Sequence, residues 1–187
     1  MDILLKLPNA LQFVSNYMYE STMFTAAFSL SYFGLLQVGE VTVFRLSDVS
    51  KITQNTDDTF TPSAGEVNIR IRYSKTDQYG TSVQISIEKA DNAIICPVLS
   101  LIAFLRIRPQ FSGPLFCHLN KMPVIRTQFV STLYSALRYL GCESSIYNSH
   151  SFRICYGTRL VIKGFSDDVI KAKGRWTSNS FKRYIRI

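Results

Sequence analysis

The last fifth of the chain holds residue types that can bind a phosphate group and transfer it. His150 and Arg153 are three residues apart, so on a helix they share one face. There the guanidinium can clamp a phosphate through parallel hydrogen bonds, and the imidazole can donate or exchange a proton. A capping histidine beside a surface arginine is the alternative interpretation of this pair taken alone.

Two aromatic residues follow this pair. Trp176 is the only tryptophan of the chain, and its indole N–H can donate to a phosphate oxygen. Tyr184 lies among three cations, which favour the phenolate and so a nucleophile (Lys182, Arg183, Arg186). A core tryptophan and an ordinary helical tyrosine are the corresponding alternatives.

A lysine far upstream completes the candidate set. Lys75 lies in Ser-Lys-Thr-Asp at residues 74–77, where two predicted strands meet their turn. A lysine at such a hairpin tip can reach into a groove and protonate a leaving oxygen. Taken alone, it is an exposed turn lysine.

The charge distribution indicates a polyanionic partner. The net charge is +8, and residues 150–187 contribute +7 of it, with 9 basic against 2 acidic residues. A local positive field of this size attracts nucleic acid. The expected DNA-facing cations are Lys173, Arg175, Lys182, Arg183 and Arg186.

The elements that must position these residues form a mostly helical α+β fold around a small three-stranded antiparallel sheet. Residues 67–73 and 83–87 alternate between apolar and polar side chains, which predicts a β-hairpin. Because an isolated hairpin is only marginally stable, we expect a third strand at 43–49, followed by a loop over 50–65.

Apolar periodicity and capping residues predict the helices. They are a short helix after Pro8, one over 21–36, one from Pro97 to before Pro109, one from a Thr127 cap to Gly141, one from Ser149 or Ser151 to Gly164, one from Ser166 to Gly174, and one from Ser178 to the end.

Composition predicts one globular domain over residues 1–187. No apolar run approaches the length of a membrane span, and the N-terminus lacks a signal-peptide pattern. The four cysteines are scattered, and only two histidines are present, so we expect reduced thiols, no metal site and an intracellular protein.

The ordered set of Lys75, His150-x-x-Arg153, Gly-Arg-Trp176 and Tyr184 resembles the catalytic domain of the tyrosine recombinase (phage integrase) family. The resemblance covers about Leu7 to Arg186. In the sequence of the C-terminal motifs, it is closest to DIRS-like and Crypton-like mobile-element recombinases. It implies that Tyr184 attacks a DNA phosphodiester and forms a 3′-phosphotyrosyl link, without metal or nucleotide cofactor.

The resemblance also implies the supporting roles and the partners. Arg153, His150 and Trp176 would hold the non-bridging oxygens, and Lys75 would protonate the leaving 5′-oxygen. The partners would be double-stranded DNA and further copies of the chain, as a dimer or tetramer, with no membrane. A eukaryotic element's enzyme would be nuclear, and a bacterial or phage enzyme cytoplasmic.

The sequence departs from the family pattern at two points. Gln37 stands where the family has an arginine on the scissile phosphate, although the bracing Glu40 is present. Losing one such charge contact costs about 3–4 kcal/mol, or ~10²–10³ in rate. We also expect the chain to begin inside the catalytic domain and to lack the N-terminal DNA-clamping domain that the family usually carries.

Three functions therefore stay open at this point. They are an active recombinase, a catalytically inactive DNA-binding module derived from one, and a protein-interaction domain without a DNA role.

Overall fold

The computed structural model describes residues 2–52, 65–72, 82–143 and 146–186, so Lys75 lies outside the described residues. Over these ranges the α-helices are α1 Asp2–Val14, α2 Met18–Phe33, α3 Val38–Val41, α4 Pro97–Ile107, α5 Arg126–Tyr139, α6 Ser151–Ile162 and α7 Asp167–Gly174. The strands are β1 Val49–Ile52, β2 Glu66–Ile71 and β3 Val83–Glu88. Short 3-10 turns occupy Leu46–Asp48, Ala93–Ile95 and Asn179–Tyr184.

The three strands form one antiparallel sheet in the order β1-β2-β3, which confirms the predicted fold class and hairpin. Val67 pairs with Ile87, and Ile69 pairs with Ile85. The alternation on β2 buries Val67, Ile69 and Ile71 against the helices. The sheet therefore has the two-faced pattern that the sequence predicted.

The third strand lies later in the chain than the predicted 43–49. Two backbone hydrogen bonds draw the preceding segment elsewhere: Leu46 N donates to Gly113 O at 3.0 Å, and Leu115 N donates to Phe44 O at 2.7 Å. Because that backbone is already paired with residues 113–115, only Val49–Ile52 is left to extend the sheet. The loop predicted over 50–65 thus begins with strand residues.

α2 forms the centre of the core, as its nearly uniform apolar surface predicted. The Phe28 ring lies 4.8 Å from Phe129 of α5 and 5.4 Å from Phe152 of α6, measured between centroids. These contacts hold α6 rigidly against the domain. The residue that follows Phe152 on α6 is Arg153, whose side chain is thereby positioned.

Several predicted helix boundaries were wrong. α1 begins at Asp2 and runs through Pro8, because Leu4, Leu7 and Leu11 form one buried face across the proline. α2 begins at Met18 and ends at Phe33 rather than spanning 21–36.

The start of α5 and the end of the chain also differ from prediction. α5 starts at Arg126, and Gln128, not Thr127, completes its cap by accepting a hydrogen bond from Ile125 N at 3.0 Å. The predicted terminal α-helix is a 3-10 turn. Glycines 141 and 164 close α5 and α6 with positive φ, and Ser166 caps α7, as predicted. Among the described residues, no helix has the length and apolarity required to span a membrane.

Candidate active site

Arg153 lies at the centre of the candidate site and is 4% exposed. Its Nη2 donates to the carbonyl of Gly174 at 2.7 Å. Its Nε is buried and has no hydrogen-bond partner, and no carboxylate of the described ranges forms an ion pair with it. A buried guanidinium in this state has the capacity to bind an anion.

Aromatic rings surround this guanidinium. Its central carbon lies 4.8 Å from the Trp176 ring and 5.8 Å from the Tyr184 ring. The Tyr184 ring lies 5.5 Å from Trp176 and 5.5 Å from His150. The structure therefore brings together the four residues predicted from the C-terminal motifs, with His150 on the exposed rim.

The end of α7 brings Trp176 to Arg153. The helix ends at Gly174 as predicted, but Arg175 is the residue with the left-handed conformation, at φ 56°. A Cβ on Gly174 would lie 1.8 Å from Cζ3 of Trp176. Position 174 thus requires glycine because the indole packs directly on its backbone.

Thr158 of α6 binds the backbone of residues 184–186, which include Tyr184. Its hydroxyl donates to the carbonyl of Tyr184 at 3.4 Å and accepts from the backbone N–H of Arg186 at 3.0 Å. These bonds turn the chain out of helical geometry after Tyr184. Sequence reasoning missed Thr158, because it lies five residues after Arg153 on the same helix and so does not share the face that the His150–Arg153 spacing defined.

Arg175 lies in a place that differs from the expected DNA-facing surface. Its side chain is 11% exposed and forms an ion pair with Glu40 at 3.0 Å. It also donates to the carbonyls of Gly34 and Leu35, both at 3.2 Å. Glu40 in turn accepts from the backbone N–H of Gln37 at 2.7 Å, which connects the α2–α3 corner to the Gly-Arg-Trp motif.

Electrostatics in this cluster favour a bound anion. Burial lowers the pKa of the Arg153 guanidinium, and the positive charge of Arg175 lowers it further, against the opposing effect of Glu40. Burial likewise lowers the pKa of Arg175, and Glu40 opposes that shift. An incoming anion would oppose the effect of burial and stabilise the charged form of Arg153.

The other predicted cations remain on the surface. Lys173, Lys182, Arg183 and Arg186 are exposed. Lys182 forms an ion pair with Asp167 at 3.2 Å, and Arg186 donates to the carbonyls of Arg183 and Ile185. These side chains can therefore face a nucleic acid, whereas Arg175 is used inside the domain.

Comparison with known proteins gives one sequence relative and several structural neighbours. No family model matches the sequence. The chain is 32% identical over 130 residues to an integrase/recombinase XerD homolog of Selenomonas ruminantium, in an alignment that covers 66% of this chain and 37% of that protein.

Among solved structures, the XerH site-specific recombinase in its pre-cleavage complex with difH aligns with a TM-score of 0.72 at 12% identity. That alignment covers 100% of this chain and 49% of XerH. A lambda integrase dimer bound to a COC′ core site aligns with a TM-score of 0.68 at 17% identity, over 99% of this chain and 46% of that one.

The chain thus spans little more than a third of its sequence relative and about half of these structural neighbours. At these identities the structures show a shared fold, which is that of tyrosine recombinase catalytic domains. The chain is thus similar in sequence to part of an integrase/recombinase, and similar in fold to a site-specific recombinase and an integrase.

Proposed function

We propose that this chain breaks and rejoins DNA strands by transferring a phosphodiester to Tyr184. The observation that carries the proposal is Arg153, a buried cation with an unpartnered Nε beside the Tyr184 ring. A buried charge without a partner is strongly unfavourable, so a fold retains it where a ligand supplies the counter-charge. The non-bridging oxygens of a phosphodiester match its parallel donors.

The positions of the described residues support the following steps. The Tyr184 oxygen attacks phosphorus, the new O–P bond forms, and the bond to the 5′-oxygen breaks. His150 lies beside Tyr184 and can accept the phenolic proton, because imidazole exchanges protons readily near neutral pH. Arg153 and the Trp176 indole N–H would stabilise the charge that builds on the non-bridging oxygens.

The leaving 5′-oxygen must also receive a proton from a general acid. We assign this role to Lys75, which lies outside the described residues and stays a prediction. The attack of another 5′-hydroxyl on the phosphotyrosine then reverses the steps and releases Tyr184.

One residue favours a second candidate function. Gln37 carries no charge at the position where the family has a phosphate-binding arginine. A DNA-binding module that has lost the chemistry would retain salt-sensitive binding through phosphate contacts. In that module, Tyr184→Phe would have no measurable effect.

Covalent capture separates these functions without knowledge of the target site. The chain is incubated with a pool of nicked duplexes of randomised sequence, in which the short product diffuses away and traps the intermediate. We expect a covalent protein–DNA adduct from the wild type and none from Tyr184→Phe, with equal DNA binding by both. The enzyme proposal fails if DNA is bound but neither the wild type nor Gln37→Arg forms an adduct.

The finer assignments are further parts of the proposal. The sequence of the C-terminal motifs supports a DIRS-like or Crypton-like origin. A nuclear location would follow, because the enzyme of a eukaryotic element acts in the nucleus. Self-association on DNA is supported by the lambda integrase dimer among the structural neighbours.

A further inference from the structure

Arg175 is the second buried cation of the site, and its guanidinium contacts other groups of the domain. It reaches Glu40 and the carbonyls of Gly34 and Leu35, all at the α2–α3 corner. These contacts join two segments that are about 140 residues apart in sequence. An arginine that served only to face DNA at the surface would not need an ion pair and two hydrogen bonds inside the domain.

The backbone on both sides of this contact adopts a conformation that favours glycine. Arg175 has φ 56° and Leu35 has φ 49°. α2 and α7 end alike, with Leu36 N donating to Ser31 O and Trp176 N donating to Lys171 O. Non-glycine residues persist in this conformation only where their surroundings require it. The left-handed turn at Arg175 directs its side chain toward the α2–α3 corner.

This side chain lies next to position 37. One oxygen of Glu40, Oε2, accepts hydrogen bonds from both Arg175 Nη2 at 3.0 Å and the backbone N–H of Gln37 at 2.7 Å. The guanidinium of Arg175 is therefore a neighbour of the Gln37 backbone. A cation is present at the corner, although position 37 itself carries none.

The charge balance of the buried cluster also indicates a role for Arg175. Within the described ranges, the cluster holds two guanidinium groups, Arg153 and Arg175, and one carboxylate, Glu40. The two positive charges exceed the one negative charge, so the cluster keeps one net positive charge, to which Arg175 contributes. One negative charge from a ligand balances it, and a phosphodiester carries one such charge.

We infer that Arg175 supplies the second positive charge of the phosphate site in place of a cation at position 37, and that Glu40 holds it there. This inference rests on the proposed function, since it concerns the same phosphate. It explains why a glutamine at position 37 is compatible with an otherwise complete set of residues. Arg175 acts here as a positioning and electrostatic residue.

Trp176 allows a binding test that needs no cleavage, since it is the only tryptophan and lies on Arg153. Its fluorescence is titrated with a thymidine dinucleotide at constant ionic strength. The linkage is either a phosphodiester or a neutral methylphosphonate. We expect Arg175→Gln to weaken binding of the diester by about tenfold or more, and binding of the methylphosphonate by less than about twofold.

The decisive experiment restores the lost positive charge at position 37 instead of position 175. Gln37→Arg combined with Arg175→Gln should bring diester binding back to within about threefold of wild type, as expected for an electrostatic effect over a short distance. The matched control is Arg138→Gln, which removes the same charge from the exposed end of α5. It should leave the binding of both ligands unchanged.

Four outcomes overturn the inference. They are unchanged diester binding by Arg175→Gln, equal loss of both ligands, failure of the double variant to recover, and no response of Trp176 to the diester. If Arg175→Gln does not fold, Arg175→Lys replaces it and should retain diester binding within about tenfold, because it keeps the charge. A folded Arg175→Lys without diester binding also overturns it. Failure of the proposed function looks different, because the binding pattern then holds but no adduct forms.

Discussion

At the scale of single residues, the site depends on a buried arginine that has few polar contacts within the described residues. Within the described residues, Arg153 donates one hydrogen bond, to the carbonyl of Gly174. Arg108 is equally buried, at 3% exposure, but it donates to the carbonyls of four residues (Pro109, Phe111, Pro114, Leu115). The two arginines therefore provide a matched pair for separating function from stability.

We expect Arg153→Met to leave the free energy of unfolding within about 1 kcal/mol of wild type, because it removes a buried unpaired charge. Adduct formation should fall by ~10³-fold or more with the loss of the phosphate clamp. Arg108→Met should lose more than about 3 kcal/mol, because four carbonyls lose their donors. Urea unfolding and the adduct assay measure both effects. Equal destabilisation by both changes would mean that Arg153 is structural.

Gly174 gives a second residue-scale prediction. A methyl group there would overlap the Trp176 ring, so Gly174→Ala must displace the indole from Arg153. We expect a shifted Trp176 emission spectrum and at least about a tenfold loss of adduct, since misplaced groups lose transition-state contacts. Gly39→Ala is the control, because a Cβ at Gly39 meets no atom within 4 Å. An unchanged spectrum in Gly174→Ala would contradict the packing.

At the scale of elements, α6 carries both the clamp and the support of the tyrosine. Thr158 holds the backbone on both sides of Ile185, and the neighbouring Gly157 lies against the Ile185 and Trp176 side chains. One rigid helix therefore sets the distance between Arg153 and Tyr184.

Thr158→Val should slow adduct formation by about tenfold while DNA affinity stays within about twofold, because the Tyr184 carbonyl and the Arg186 N–H lose their anchor. Thr158→Ser keeps the hydroxyl and should react at nearly the wild-type rate. Single-turnover kinetics distinguish the two variants. A valine variant as fast as the serine variant would show that this contact does not position Tyr184.

The elements also show how far sequence reasoning can go. Alternation on residues 67–71 and periodicity on Pro97–Ile107 identified their elements, because local burial patterns determine them. The third strand was predicted too early, since pairing of 44–46 with 113–115 is a long-range choice that no local pattern encodes. Likewise, Arg175 and Glu40 were each singled out, but their ion pair depends on the tertiary fold.

At the scale of the whole molecule, the site joins the α2–α3 corner, α6, the end of α7 and the last turn. Its components are spread from Glu40 to Arg186, so the common core must hold them in register. Tyrosine side chains take part in the packing of this core. Burial raises the pKa of Tyr19, Tyr32 and Tyr156.

These tyrosines make stability depend on alkaline pH. In the unfolded chain phenols ionise at about pH 10, whereas the buried ones keep their protons to higher pH. Stability is therefore fully present below about pH 10 and is lost as the pH rises through the folded-state values. The urea concentration at the unfolding midpoint should therefore fall as the pH rises above about 10. In Tyr156→Phe, this midpoint should fall less over the same pH range. Equal pH dependence in both proteins would contradict the assignment to Tyr156.

The most direct measurement of the central claim is the identity of the residue that becomes attached to DNA. The trapped adduct is digested with nuclease and trypsin, and the peptides are analysed by mass spectrometry. We expect a nucleotide joined through its 3′-phosphate to the tyrosine of Tyr184-Ile185-Arg186. A nucleotide attached to any other residue, or DNA that is bound without ever becoming covalently attached, would contradict it.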